Sequence, residues 1–233
     1  MQMPEKCTYL LVDFFCIIFP FVFSFHPKLR FHRQWQYFVL PCVLTALFFI
    51  IWDILFTAKG VWSFNPSYVC GVYFFNLPLE EVLFFIFIPY ACVFTYYCMS
   101  LFVNDRWRRS QARLVSYMLI VFLLSVALSH PARLYTSVTF ILLAIFLFFL
   151  LVKKVRFMPM FYLSFLVILI PFFISNGILT GSFLKAPVVI YNNNYNLGIR
   201  MFTIPVEDTF YGMLLLLMNV SGFEYLRAHT MHP

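Results

Sequence analysis

A short proline–carboxylate motif occurs twice in the chain, as Pro78-Leu79-Glu80-Glu81 and as Pro205-Val206-Glu207-Asp208, each followed by a long apolar run. The two copies hold four of only nine acidic residues. Ionisable groups at membrane depth are costly and mark function by default. Two carboxyls facing one cavity can do acid–base chemistry, one giving a proton and the other taking it. Neighbouring residues on a helix point about 100° apart, so one acid of each motif can face a shared cavity. Glu80 and Glu207 are assigned that place, with Glu81 and Asp208 orienting them or holding water. Simple capping of helix N-termini is the competing reading. It does not account for the doubling of a costly pair.

Other polar residues in apolar surroundings are candidates for support. Asp53 lies one connection ahead of the first motif, and its counterpart in the second half is Asn176, which hydrogen-bonds but cannot titrate. Asp13, matched by Thr139, is expected to make a structural hydrogen bond. Glu224, three residues before Arg227, reads as a local ion pair. Aromatic residues make up 22% of the chain. Most serve packing, but Trp52, Trp62, Phe64, Tyr73, Phe74 and Phe75 crowd around the first motif. Phe202, Phe210 and Tyr211 do the same around the second. Aromatic faces stabilise cations, so carboxyls walled by aromatics suit a carbocation reaction. Trp52, Trp62, Phe64, Phe84 and Tyr211 are the expected cavity wall.

The elements that must position these groups follow from composition. With 63% hydrophobic and 11% charged residues, the chain is a polytopic membrane protein. Seven apolar stretches approach the roughly 20 residues needed per crossing: Thr8–Phe25, Tyr37–Thr57, Leu77–Val103, Leu114–Ser129, Leu134–Val152, Phe157–Thr180 and Phe202–Leu226. Eleven basic residues fall on one side: Lys28, Arg30, Arg33, Arg106, Arg108, Arg109, Arg113, Lys153, Lys154, Arg156 and Arg227. Five fall on the other: Lys6, Lys59, Arg133, Lys185 and Arg200. The bias predicts a cell-membrane protein with its N-terminus outside and its C-terminus in the cytoplasm. The same distribution makes the net charge of +7 a topology signal, not a nucleic-acid one. The first apolar run is expected to be a retained span, since no small-residue cleavage site closes it.

The chain also repeats itself. Tyr9 and Lys28-Leu29-Arg30-Phe31 match Tyr135 and Lys154-Val155-Arg156-Phe157 at an offset of 126, and Gly71 and Pro78 match Gly198 and Pro205 at an offset of 127. The expected fold is an all-α membrane protein of seven transmembrane helices. Two parallel three-helix repeats (residues 1–104 and 134–233) are joined by one linking helix (residues 105–133). Such repeats place shared sites at their interface.

Several functional classes are disfavoured. No GxGxxG motif follows a strand, and no Asp-rich pair is present to hold magnesium on a diphosphate. The histidines lie at span ends or tails, away from any membrane-embedded metal centre. The last span has no lysine for a retinal Schiff base. Six scattered cysteines show no metal or disulfide spacing. No metal and no cofactor is expected.

The stretch Trp52-Asp53, Gly60-Val61-Trp62-Ser63-Phe64-Asn65, Gly71 and Pro78-Leu79-Glu80-Glu81-Val82-Leu83-Phe84-Phe85 resembles the membrane-integral lycopene cyclase family, with its paired PxE[E/D] motifs. Pro205-Val206-Glu207-Asp208 makes the chain similar to the fused form of that family. Gly-Val-Trp-Ser-Phe has no clear counterpart within 181–200. The resemblance implies a non-redox lycopene β-cyclase, an isomerase acting by protonation, carbocation ring closure and deprotonation, with no cofactor. It implies lycopene or a related linear carotenoid as substrate, the lipid bilayer as medium, and other carotenoid-pathway enzymes as further partners. Acid and base roles go to Glu80 and Glu207, in either order. A proton-coupled transporter of a small lipophilic molecule and a carotenoid hydratase on the same scaffold are the alternatives.

Overall fold

The computed structural model describes residues 5–103 and 109–230. Arg106 and Arg108 of the basic cluster, and His232, lie outside the described residues. Seven α-helices dominate: α1 (Thr8–Phe23), α2 (Trp35–Ala58), α3 (Leu79–Phe102), α4 (Arg109–Ser129), α5 (Leu134–Val152), α6 (Met158–Leu179) and α7 (Val206–Thr230). Helices are the natural answer for such a composition, because they satisfy every backbone group within one segment. Among the described residues, five helices are long and apolar enough to cross a membrane, α2 to α6. α1 has 16 residues and is shorter. α7 carries Glu207, Asp208, Glu224 and Arg227.

The largest boundary differences have local causes. α7 starts at Val206, not near Phe202, because the preceding residues fold back as a hairpin. α4 starts at Arg109, a turn earlier than its apolar residues alone indicate. Each motif proline stands just before its helix and not at the first helical position. Pro78 is extended (φ −65°, ψ 151°) and pairs with Tyr73, and Pro205 pairs with Arg200. The short strands are β2 (Tyr73–Phe74) with β3 (Leu77–Pro78), and β5 (Arg200–Met201) with β6 (Ile204–Pro205). Phe75 and Phe202 occupy the tips in left-handed conformation, at φ 55° and 59°. Hairpin turns of two residues need that conformation, though a bulky side chain adopts it at a cost.

A further pair, β1 (Trp62–Phe64) and β4 (Val189–Tyr191), runs antiparallel between the α2–α3 and α6–α7 connections. Trp62 faces Tyr191 and Phe64 faces Val189. Here the apparent gap in the second half closes. Residues 189–191 lie 127 positions after 62–64 and form the same strand with different side chains. Asn65 N–H donates to the Val188 carbonyl, and Asn192 N–H donates to the Val61 carbonyl. The two connections are thereby stitched into one lid-like layer over the helix ends that bear the motifs.

Below that layer α1 packs on α3 and α5 on α7, while α7 also packs on α2. Phe31, Phe85, Leu217 and Phe223 are fully buried between them. Glu224 and Arg227 form the expected pair, 3.7 Å apart, and the Tyr96 hydroxyl donates to Glu224. Cys7 and Cys70 lie outside the α-helices with their sulfur atoms 3.2 Å apart as free thiols. α7 approaches α2 closely at Gly222, where a Cβ would sit 2.6 Å from Pro41 Cβ. The rigid pyrrolidine ring cannot move aside. Gly222→Ala is expected to destabilise the bundle by about 1–3 kcal/mol, seen as a lower midpoint in thermal unfolding of the detergent-solubilised protein.

Candidate active site

The two motifs meet at one end of a cavity of about 790 Å³ walled by α1, α3, α6 and α7. Such a volume is typical of a small-molecule site. The cavity end is lined by Asp53, Glu81 and Asp208, together with Tyr9, Tyr135, Tyr191 and Tyr211. All three acids are buried.

This corrects the choice made within each motif. Glu81 and Asp208 face the cavity, and Glu80 and Glu207 do not. The latter turn back into the connecting layer. Glu80 Oε1 accepts the Cys70 backbone N–H at 2.6 Å. Glu207 Oε1 accepts the Leu197 N–H at 2.8 Å and the Thr136 hydroxyl at 2.6 Å. Each therefore ties its own preceding loop, ten residues back, to the start of its helix. The second oxygen of each is buried and has no hydrogen-bond partner. Periodicity shows that two adjacent acids diverge, but only the direction of the hairpin decides which one turns inward.

The two cavity acids sit in matching frames. Tyr9 on α1 donates to Glu81 at 2.6 Å, and Tyr135 on α5 donates to Asp208 at 2.7 Å. Each tyrosine is held by its own N–H, which donates to the Tyr68 carbonyl in one case and the Tyr195 carbonyl in the other. The frames then diverge. Glu81 is hydrogen-bonded to the Asp53 carboxyl, which also accepts the Tyr211 hydroxyl at 2.7 Å. Asp208 instead accepts the Asn176 amide at 2.9 Å and the Tyr191 hydroxyl at 2.9 Å. Two carboxyls can hydrogen-bond only when one carries a proton, whereas an ionised carboxyl accepts from every neighbour. The two frames therefore differ in kind: a second carboxyl stands beside Glu81, and three donors meet Asp208. Tyr191 lies in the connecting layer; burial first, and then the neighbouring Asp208, hold its phenol well above the ordinary value. It therefore stays a hydrogen-bond donor.

The other expected residues divide. Trp62, Phe64, Phe84 and Tyr211 line the cavity, as does Asn176. Trp52 does not. It packs behind the wall, stacked on Phe49 at 5.5 Å and edge-on to Tyr211 at 5.2 Å. Asp13 is fully buried, and neither of its oxygens has a partner, so the expected structural hydrogen bond is not formed. The Thr139 hydroxyl is likewise buried without a partner. Sequence reasoning had not placed Tyr9, Tyr135 or Tyr191 in the site. Tyr9 and Tyr135 carried a signal as an identity within the repeat. Tyr191 carried none, since its counterpart is Phe64. Among the described residues no cluster of His, Cys, Asp and Glu has the arrangement of a metal centre.

A multi-pass helical membrane protein with carboxyls and phenols at the head of an apolar cavity is equipped for proton chemistry on a lipid-soluble molecule. The family model described as lycopene cyclase matches residues 6–99 and 132–226, and the chain belongs to that family. The two matched regions coincide with the internal repeat. No curated protein and no solved structure matches the chain. Membership makes it a lycopene cyclase in the general sense, an enzyme with a carotenoid substrate in a lipid environment.

The loop ties generate a contrast. Glu80→Gln and Glu207→Gln retain an oxygen acceptor for the Cys70 and Leu197 N–H groups and are expected to keep wild-type thermal stability. Glu80→Ala and Glu207→Ala leave those donors unpaired and are expected to lose about 1–3 kcal/mol each, measured by unfolding of the solubilised protein.

Proposed function

We propose that the protein is a non-redox lycopene β-cyclase with an acid in its first half and a base in its second. The Asp53–Glu81 pair gives its shared proton to the terminal double bond of the linear carotenoid. The tertiary cation is attacked by the next double bond and closes a six-membered ring. Asp208 removes a proton from the ring, leaving the β-ring. One proton enters the substrate and one leaves, so nothing is oxidised or reduced. The observation that carries this reading is the pairing of an Asp53–Glu81 carboxyl pair with an Asn176–Asp208 carboxyl–amide pair at corresponding positions. Environments that push two carboxyls toward opposite protonation states identify an acid and a base.

Further support comes from the walls. Trp62, Phe64 and Phe84 place aromatic faces beside the acids, where a developing cation gains stabilisation. The mainly apolar lining beyond them excludes water, which favours proton loss over hydration of the cation. Glu81 and Asp208 line the same cavity.

The arrangement proposed for the chain is seven crossings, including α1 and α7, in two parallel repeats (1–104 and 134–233) linked by 105–133. The basic bias supports an outer N-terminus and a cytoplasmic C-terminus, which sets the acid cluster near the outer face.

The test is expression in a lycopene-accumulating bacterium, followed by pigment chromatography. Conversion of lycopene to a β-ring carotene is expected, and unchanged lycopene with the protein present in the membrane would refute the reading. Glu81→Gln and Asp208→Asn are each expected to lower turnover by about 100-fold or more without changing membrane content. Asp53→Asn gives the first half the amide of the second and is expected to be similarly inactive. Full activity in all three variants would remove the carboxyls from the mechanism.

A further inference from the structure

The segment that leads into α1 lies alongside the loop ahead of the first motif. Tyr9 N–H donates to the Tyr68 carbonyl at 3.2 Å. Two residues further out on each segment, the sulfur atoms of Cys7 and Cys70 are 3.2 Å apart. The pairs 9 with 68 and 7 with 70 share one antiparallel register, so the backbone itself sets the thiols side by side. Both are free, with Cys70 exposed and Cys7 half-buried. They are 63 residues apart in the chain, so cysteine spacing along the sequence gives no sign of the pair. The other four, Cys16, Cys42, Cys92 and Cys98, sit within α1, α2 and α3.

The second half holds the same junction by other means. Tyr135 N–H donates to the Tyr195 carbonyl, as Tyr9 does to Tyr68. Leu197 stands where Cys70 stands, each giving its N–H to the glutamate ten residues on. Arg133 stands where Cys7 stands, two residues before the tyrosine. Its guanidinium donates to the Asn193 carbonyl at 2.8 Å, a charge-assisted hydrogen bond that fastens the start of α5 to its loop. The first half has a thiol pair at this place. A thiol is a weak donor and a weak acceptor, so the reduced pair holds the junction loosely. A covalent S–S bond would hold it firmly.

We propose that Cys7 and Cys70 form a disulfide-bonding site that locks the start of α1 to the loop tied to Glu80. The oxidant is an external disulfide, carried by a small molecule or by another protein. One cysteine attacks it and releases one thiol, and the other cysteine then displaces the second thiol as the Cys7–Cys70 bond closes. The protein gives up two S–H hydrogens and two electrons, and the oxidant leaves as two thiols. The Cys70 thiol is pushed up to about 12, first by its hydrogen bond with Cys7 and then by burial and by Glu80. It therefore keeps its proton in the pair, and Cys7 makes the first attack. On the proposed topology the pair lies at the outer face, where disulfides persist. The bond holds Tyr9 beside Tyr68, and Tyr9 is the phenol that donates to Glu81. It also restricts the unfolded chain by closing a long loop. None of this depends on the reaction that the cavity performs.

The experiment uses the full chain in phospholipid vesicles, equilibrated with reduced or with oxidised glutathione. Free thiols are alkylated, and the protein is digested without reduction for mass spectrometry. A peptide linking Cys7 to Cys70 is expected in the oxidised sample and is expected to vanish on reduction. The oxidised protein should unfold at a midpoint about 5 °C or more above the reduced one. Cys7→Ser is expected to lose both the link and this difference, unfolding at the midpoint of the reduced wild type. Alkylation of both thiols after oxidation, or separate capping of each by glutathione, would overturn the site. A linked peptide with no rise in the midpoint would overturn the lock. A Cys7→Ser protein whose midpoint still rises on oxidation would assign the effect to another cysteine and also overturn it.

Discussion

A carboxyl removed from water must either keep its proton or be surrounded by donors, because an unpaired buried charge is too costly to sustain. The whole connecting layer serves that requirement. Tyr9, Tyr135, Tyr191 and Tyr211 each reach one of the three cavity acids, and each comes from a different element. α1 and α5 supply one phenol each, α7 supplies another, and β4 brings the fourth. Positioning four phenols around one cluster fixes the relative placement of those elements to within a hydrogen-bond length. Stability and chemistry therefore depend on the same contacts.

The two halves share a backbone plan and differ in what they hang on it. Loop ties at Glu80 and Glu207, hairpins before α3 and α7, and a tyrosine on the preceding helix all recur. Three exchanges break the equivalence. Asp53 becomes Asn176, Phe84 becomes Tyr211 and Phe64 becomes Tyr191. Asn176 and Tyr191 donate to Asp208, Tyr211 donates to Asp53, and Asp53 sets a carboxyl beside Glu81. A strictly duplicated scaffold would place the two cavity acids in identical surroundings. The exchanges at 53/176 and 64/191 make them differ, with a carboxyl beside Glu81 and an amide and a phenol donating to Asp208.

The acids inside each motif also divide their work. The outer member anchors the loop that approaches the helix start, where unpaired backbone N–H groups already favour a negative charge. The inner member is left free to face the cavity. One ties the connecting layer to the helix start, and the other lines the cavity. Mainly apolar walls lie below the acids.

Composition alone determined that the chain is helical and membrane-bound, because so much apolar surface has no other place to go. The doubled PxE[E/D] motif and the 126- and 127-residue offsets put the paired acids at the starts of α3 and α7 and matched Asp53 with Asn176. Side-chain identity carried those signals. Which acid of each motif faces inward, and the burial of Trp52 behind Tyr211, were decided only in three dimensions. Hairpins of two-residue strands set the rotation at which each helix begins, and no residue pattern records that angle. Tyr191 was equally hidden, because strand pairing across 127 residues aligns backbone and not side-chain type. Sequence shows which groups are costly enough to matter; the tertiary structure decides which of their neighbours offset that cost.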